Sequence, residues 1–412
     1  MMEATYPAHE SYKPSGYDWV GNVPSHWGVE KLGTSLRSVS EKNRPDLPLL
    51  SITRELGVIE RDLDDEESNH NFIPDDLSGY KVLRAGQFGM NKMKAWQGSY
   101  GVSQHTGIVS PAYFIFDFTK EIDPDFFNRA IRSKLYVSYF GSASDGVRIG
   151  QWDLNKARMR EIPLLVPPLP EQRAIAAFLD DKCAKIDDAA KIKEGQIALL
   201  HERRQIIIQD AVTRGLNPAA PMKDSGIDWI SQIPAHWEIK KVKHFGRNRS
   251  GDGVTNSQLT DEGVYEVWGG NGLMGFSDKF NVDGDYIVIG RVGAYCGNIR
   301  LAKGKRWVSD NALILRISRA ISSPFLAQAL QAANLNRLNE SNAQPLITGG
   351  KVSNLSIPFP PLEEQDQIVD HIKWSSQKIE DGIAIKEAQI TALKEYKTSL
   401  INAAVTGKIK VI

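Results

Sequence analysis

Cysteine is nearly absent: Cys183 and Cys296 are the only two in 412 residues. They form neither a CxxC pair nor a disulfide framework, which suits a reducing, cytoplasmic setting. No apolar run approaches the roughly 20 residues needed to cross a bilayer, so no membrane partner is expected. The first sixteen residues, MMEATYPAHESYKPSG, hold no apolar stretch, and a secretory signal is not expected there. An excess of either charge is missing too, since 50 Lys and Arg balance 50 Asp and Glu. Taken whole, that balance argues against a nucleic-acid binder, which is usually basic. Hydrophobic content of 41% with 24% charged residues is ordinary globular composition and excludes wholesale disorder. At roughly 100–200 residues per domain, the length implies two or three domains.

Motifs of catalysis are equally scarce. There is no GxxxxGK[ST], hence no P-loop, and no Asn/Asp-Pro-Pro-aromatic motif of the adenine methyltransferases. Gly270-Asn271-Gly272-Leu273-Met274-Gly275 formally matches GxGxxG, but a dinucleotide site needs a helix to start inside it. The turn formers Asp278, Asn281, Asp283 and Gly284 follow instead. Asp75 and Glu238-x-Lys240 resemble nuclease carboxylates only by chance spacing. The eight His show no HxxxH or CxxH spacing, so no metal site is expected. Nothing here predicts an enzyme.

What the chain does contain is a duplication. Tyr17-Asp18-Trp19-Val20-Gly21-Asn22-Val23-Pro24-Ser25-His26-Trp27 reappears at Ile227-Asp228-Trp229-Ile230-Ser231-Gln232-Ile233-Pro234-Ala235-His236-Trp237, 210 residues later. Pro167-Pro168-Leu169-Pro170-Glu171-Gln172 reappears at Pro360-Pro361-Leu362-Glu363-Glu364-Gln365, 193 residues later, and Ala211-Val212-Thr213 keeps that offset at Ala404-Val405-Thr406. The frames match while their contents show little likeness. Either a constant scaffold carries two different modules, or a duplication has drifted neutrally. His26 and His236 lie in matched Pro-x-His-Trp turns, where a structural role is expected.

After each Pro-Pro-Leu-x-Glu-Gln a long helix is predicted, with proline at its entrance and Glu in its first turn. Between Glu171 and Val212 there is no Pro and one Gly, Gly195; between Glu364 and Val405 there is only Gly382. Apolar residues recur every 3.5 positions, including Leu179, Ile186, Ile197, Leu200 and Ile207, and in the second copy Ile372, Ile379, Ile390, Leu393 and Leu400. That period marks a coiled-coil seam, the alternative being a stripe that packs each helix on its own globular domain. Some 42 residues at about 1.5 Å each make rods of about 60 Å. Lys193 and Arg204, matched by Lys386 and Lys397, interrupt the seam, either to fix register or as rim residues that snorkel. Periodicity does not distinguish parallel from antiparallel pairing.

The segments between frames read as mixed α and β. Tyr286–Ile289 and Ala312–Ile317 are strand-like, and helical patterns appear near 125–139 and 324–338.

The duplicated Asp-Trp-(Val/Ile)-x-x-(Val/Ile)-Pro-x-His-Trp, then a variable module, then Pro-Pro-Leu-x-Glu-Gln and a long helix, resembles the type I restriction–modification specificity subunit over essentially the whole chain. The resemblance implies an α+β fold: two mixed α/β target recognition domains separated by two long helices forming an antiparallel coiled coil, with an internal pseudo-twofold repeat. It divides the chain into an N-terminal segment (1–27), recognition domain 1 (28–165), a central helix (166–216), a linker with the repeated motif (217–237), recognition domain 2 (238–359) and a C-terminal helix (360–412). Each domain would read one half of a bipartite site in double-stranded DNA. The helices would set the unread spacer and dock two methylation subunits, with restriction subunits joining the complex. S-adenosylmethionine, ATP and Mg2+ would belong to those partners, none to this chain. The specificity subunit of a related system, with nuclease fused to methylase, is an alternative, and a single-chain DNA-modifying enzyme is a further one. Asp366 stands where the first copy has Arg173, and Glu363 where it has Pro170, so the two docking surfaces are expected to differ in detail.

Charge divides unevenly along the repeat. Residues 28–162 hold 18 basic and 19 acidic side chains, whereas residues 238–357 hold 15 and 10, a net of +5. In the first module Asp62, Asp64, Asp65, Glu66 and Glu67 form one acidic cluster, expected on a loop turned from DNA. Arg and Lys pair with guanine, and Asn and Gln with adenine. The candidate base contacts are therefore Lys92, Lys94, Gln97, Tyr100, Gln104 and Arg148 in the first module. In the second they are Asn271, Lys279, Arg291, Arg300, Lys305, Arg306 and Lys351. Trp96 and Trp268 could stack on bases or sugars, or lie in the core.

Overall fold

A computed structural model describes residues 6–62, 73–148, 151–293, 296–317, 321–339 and 346–412. Asp64 to Glu67 of the acidic cluster lie outside the described residues. The chain divides into two compact units, Met1–Lys193 with Ala388–Ile412, and Glu194–Glu387. The division runs through both long helices.

The variable modules share the order of one four-stranded sheet despite their unlike sequences. In the first, strands Leu36–Val39, Phe114–Phe118, Phe88–Met90 and Tyr100–Val102 lie side by side in that order, all antiparallel. In the second, Gly246–Ser250, Ala312–Ile317, Asp285–Gly290 and Ile299–Lys303 repeat the same order. Side chains alternate across each sheet, as the strand period of two requires. Phe116 joins a core with Phe88, Phe127 and Phe140, while its neighbour Ile115 joins Leu50, Ile52 and Leu83 on the opposite face. Likewise Leu313 and Leu315 face one core and Ile314 faces Tyr286, Val288 and Val308 in another. Backbone pairing is indifferent to side-chain identity provided the alternation holds, so the topology persists where sequence likeness has vanished.

The two predicted helical stretches are each broken. The pattern near 125–139 is two helices, Pro124–Ile131 and Lys134–Ser142, because Ser133 between them is extended. The pattern near 324–338 is the helix Ser323–Ala332 followed by a 3-10 turn, Leu335–Leu338, reached through Asn334 at φ +47°. Both predicted strands are present, as Asp285–Gly290 and Ala312–Ile317.

The long helices run Leu169–Arg214 and Leu362–Val405. In the first unit Ile175, Leu179 and Ile186, from the start of one helix, pack with Leu400, Ala404 and Val405, from the end of the other. In the second unit Ile208, Ala211 and Val212 pack with Ile368 and Ile372. Start meets end in both, so the helices pair antiparallel in each unit. Every seam residue named above is at least half-buried: Leu179, Ile186, Ile372, Ile379, Ile390 and Leu400 are buried, and Ile197, Leu200, Ile207 and Leu393 are partly so. Two of the four basic seam residues form ion pairs with the other helix. Lys397 pairs with Asp187 at 2.7 Å and Arg204 with Glu380 at 3.3 Å. These ion pairs are repeat-related, since 193 residues separate Asp187 from Glu380 and Arg204 from Lys397.

The frame motifs hold each module to its helix. Gln172 accepts the backbone N–H of Asp123 at 2.8 Å and donates to the Pro167 carbonyl at 2.8 Å. Gln365 does the same with Ser322 at 2.7 Å and Pro360 at 2.8 Å. Asp123 and Ser322 are the N-caps of module helices, so each Gln satisfies an N–H at a helix start while fixing that helix in place. Each long helix then ends against a repeat tryptophan. Gly215, at φ +72°, lies where a Cβ would come within 3.0 Å of Trp237; Gly407, at φ +69°, would meet Pro24 at 2.4 Å and Trp27 at 3.2 Å. Left-handed backbone and lack of space both demand glycine at these C-terminal positions.

Candidate nucleic-acid interface

Antiparallel register brings two arginines together in the second module. Arg247 and Arg316 lie directly opposite one another on neighbouring strands. Both are exposed, and neither has an ion pair or hydrogen bond among the described residues. Like charges directly across a ladder repel, so the pair costs stability unless an anion lies between the guanidiniums. The corresponding place in the first module is neutral. Arg37, 210 residues before Arg247, lies opposite Asp117 and pairs with it at 3.0 Å. The Gln87 amide and then the Arg37 guanidinium hold the Asp117 carboxyl below the usual carboxylate range. Two of the six charges by which the modules differ thus have a definite location, this cross-strand pair.

Arg300 projects from the same sheet face, opposite Val288. It donates to the Asn271 carbonyl at 2.9 Å and rests over Gly272, whose φ is +112°. The glycines of the GxGxxG string serve this arrangement: they form the turn between strands Tyr265–Gly269 and Gly272–Ser277, and no helix starts among them. Leu273 and Met274 are exposed beside the turn, at 57% and 46%. Lys279 is exposed, and Lys305 lies over the Phe280 ring at 4.6 Å.

Other candidates are committed within the fold. Arg306 stacks on Trp268 at 4.6 Å and pairs with Glu266 at 2.8 Å, and Trp268 also donates to Glu266 at 3.0 Å. Trp268 therefore packs on the core with one ring face covered by arginine. Arg291 donates to Ser250 at 3.0 Å and is only half-exposed. Lys351 donates to the Leu338 carbonyl at 2.7 Å, which fixes its position on the short helix Gly349–Asn354.

In the first module Lys92, Lys94 and Gln97 share the loop between strands Phe88–Met90 and Tyr100–Val102. Lys94 is exposed, Gln97 is half-buried in a 3-10 turn, and Lys92 pairs with Asp153 at 3.0 Å. Trp96 packs against Trp152 with ring centres 5.0 Å apart. Gln104 is exposed in the following loop, and Arg148 ends the strand Ser144–Arg148, its side chain lying outside the described residues. Tyr100 is corrected outright. It is fully buried beside Phe88 and Phe140, and burial pushes its hydroxyl above the ordinary range. Its ring fills the core face of its strand, so it does not reach a base.

Arg247 and Arg316 were missing from the sequence-derived set. Charge counted along a chain does not reveal that residues 69 positions apart are neighbours. The available clue was the 210-residue offset that matches Arg247 with Arg37.

Residues 234–395 match the family model for the type I restriction modification DNA specificity domain. The chain is 33% identical over 102 residues to the type I restriction enzyme EcoprrI specificity subunit of Escherichia coli, covering 25% of each. It is 27% identical over 307 residues to the MjaVIII specificity subunit of Methanocaldococcus jannaschii, covering 68% of this chain and 69% of that one. Matches to the first curated relatives thus span from 25% to 69% of those proteins. A solved chain from work on complex assembly and conformational transition of the type I R-M system superposes with a TM-score of 0.69 at 15% identity, covering 93% of this chain and 98% of that one. Its likeness is one of fold. No helix among the described residues is long and apolar enough to cross a membrane. With the duplicated frame, the paired antiparallel helices and the matched specificity domain together, the chain is similar to the type I restriction–modification specificity subunits.

Proposed function

We propose that this chain confers DNA sequence specificity on a type I restriction–modification complex and performs no catalysis itself. Each module reads one half of a bipartite, asymmetric site in double-stranded DNA. The long helices set the unread spacer and present repeat-related surfaces to two methylation subunits, which modify adenine N6; restriction subunits act on unmodified DNA. S-adenosylmethionine, ATP and Mg2+ belong to those partners, and the complex works in the cytoplasm. The observation that carries this reading is one four-stranded sheet order presented twice with different side chains on the same frame. Identical partners could dock on the frames while the modules read different bases.

In the second module Arg247 and Arg316 hold phosphate, and Asn271, Lys279, Arg300 and Lys305 lie toward the grooves. The exposed Leu273 and Met274 supply apolar contact of the kind a thymine methyl accepts. In the first, Lys94 and Gln104 are the free candidates. Replacing residues 238–357 with the corresponding module of a relative is expected to change one half of the methylated site and leave the other intact. Genome-wide mapping of adenine methylation reads the result. A change in both halves, or in neither, would sink the modular reading.

A further inference from the structure

The two copies of the frame differ at one place where the difference has chemical consequences. In the second copy, Glu364 uses both carboxylate oxygens within its own frame: one meets His236 Nε2 at 2.7 Å, the other accepts Trp237 Nε1–H at 2.8 Å. In the first copy, Glu171 Oε2 meets His26 Nε2 at 2.8 Å as expected from the repeat. Its other oxygen does not take the indole, and Trp27 Nε1, fully buried, has no partner. Instead Oε1 faces His9 Nε2 at 3.8 Å. His9 has no counterpart in the second copy, where the offset of 210 places Ala219.

We propose that His9, His26 and Glu171 form a binding site for one divalent transition-metal ion of the zinc class. Their three donor atoms lie within 4.8 Å of one another. The His9 side chain is 5% exposed and that of Glu171 is 7% exposed, whereas His26 is 49% exposed and leaves the site an open side. His9 Nε2 is buried without a hydrogen-bond partner and points into the cluster. A buried, unpaired imidazole nitrogen costs free energy, and a metal ion removes that cost by taking its lone pair.

Two imidazoles and one carboxylate select zinc, cobalt or nickel over calcium or magnesium, which take mainly oxygen. With bonds near 2.0–2.1 Å, tetrahedral ligand atoms lie about 3.3 Å apart. The carboxylate separations of 2.8 Å to His26 and 3.8 Å to His9 lie on either side of that value, and with all three donors within 4.8 Å an ion would draw the two imidazoles and Glu171 together. The cleft also holds Glu10, which favours a cation, and Lys410, which opposes one. A fourth position remains for water. The ion would tie the N-terminal segment, the repeated His-Trp turn and the first turn of the Leu169–Arg214 helix to a single point.

The spacing rules for zinc motifs do not reveal this set, because 17 residues separate the two His and a further 145 separate His26 from Glu171.

The test uses the full chain, stripped with a chelator and titrated with Zn2+ by calorimetry and with Co2+ by visible absorption. One tight equivalent per chain is expected, with imidazole ligation shown in the Co2+ spectrum. His9→Gln and His26→Ala should each weaken binding by more than about 100-fold, since even an outer-shell partner is worth 10–100-fold. His236→Ala should leave affinity and stoichiometry unchanged. Circular dichroism of each variant verifies folding, and His9→Gln keeps a side chain able to bond Glu171. No tight equivalent, two equivalents per chain, or equal affinity in His9→Gln would each overturn the proposal.

Discussion

Replacing Arg316 with aspartate is expected to weaken binding of the chain to duplex DNA by on the order of 100-fold at low salt. The substitution writes into the second module the pair that the first already has, Arg37 with Asp117 at 3.0 Å. The sheet topology is the same in both, so the new pair has a tested geometry. It removes one cation and neutralises a second, Arg247. Each phosphate contact contributes about 0.9 to the slope of log K against log salt concentration, so the slope should fall by about 2. Folding stability should hold or rise, because a like-charge pair is exchanged for an attractive one. Fluorescence anisotropy at several salt concentrations, with urea unfolding alongside, measures both. An unchanged salt slope would show that the arginine pair does not face phosphate.

Trp237→Ala should lower the stability of its unit by about 3–5 kcal/mol, the range for emptying a large aromatic site. Trp237 is 1% exposed and joins the core that includes Val212, Ile233 and Ile368. It closes the end of the Leu169–Arg214 helix at Gly215 and donates to Glu364 at 2.8 Å. Trp237→Phe separates these contributions by keeping most of the ring and losing the donor. About 1 kcal/mol is expected, because the carboxylate is partly solvated and regains water. Trp27→Phe at the matched position should cost less still, as Trp27 Nε1 has no bond to lose. Urea denaturation followed by tryptophan fluorescence and circular dichroism tests the order. Equal losses for the two Phe variants would refute the assigned role of the Glu364 bond.

The frame was legible in the sequence because its determinants are local. A 3.5-residue apolar period sustained over forty residues, with proline before it and Glu in the first turn, placed both helices within two residues of their observed limits at Leu169–Arg214 and Leu362–Val405. The Pro-Pro-Leu-x-Glu-Gln motif marked those helix starts. That its Gln reaches back to a module helix cap, and its Glu to the His-Trp turn, was not legible. Those partners lie 43 to 145 residues away. The base-contact candidates, chosen by residue type, include Lys94 and Asn271, exposed in turns, and Arg300, exposed on a strand. The same choice admitted Tyr100, because a strand residue's inward or outward face depends on register.

The sequence by itself determined that this protein is a duplicated frame with paired long helices and two unlike inserts, for repeats and heptads are written in consecutive residues. Tertiary structure decided which side chains meet. Strand register set Arg247 against Arg316 but Arg37 against Asp117, and so gave the second module a cationic pair where the first has a neutral one. Chain closure brought His9 to the carboxylate that its repeat copy spends on an indole. Helix direction, which a seam pattern leaves open, followed from the start of each helix packing against the end of the other. Local periodicity specifies which face of an element is apolar; only burial of those faces against distant elements specifies the neighbours, and the chemistry here resides in the neighbours.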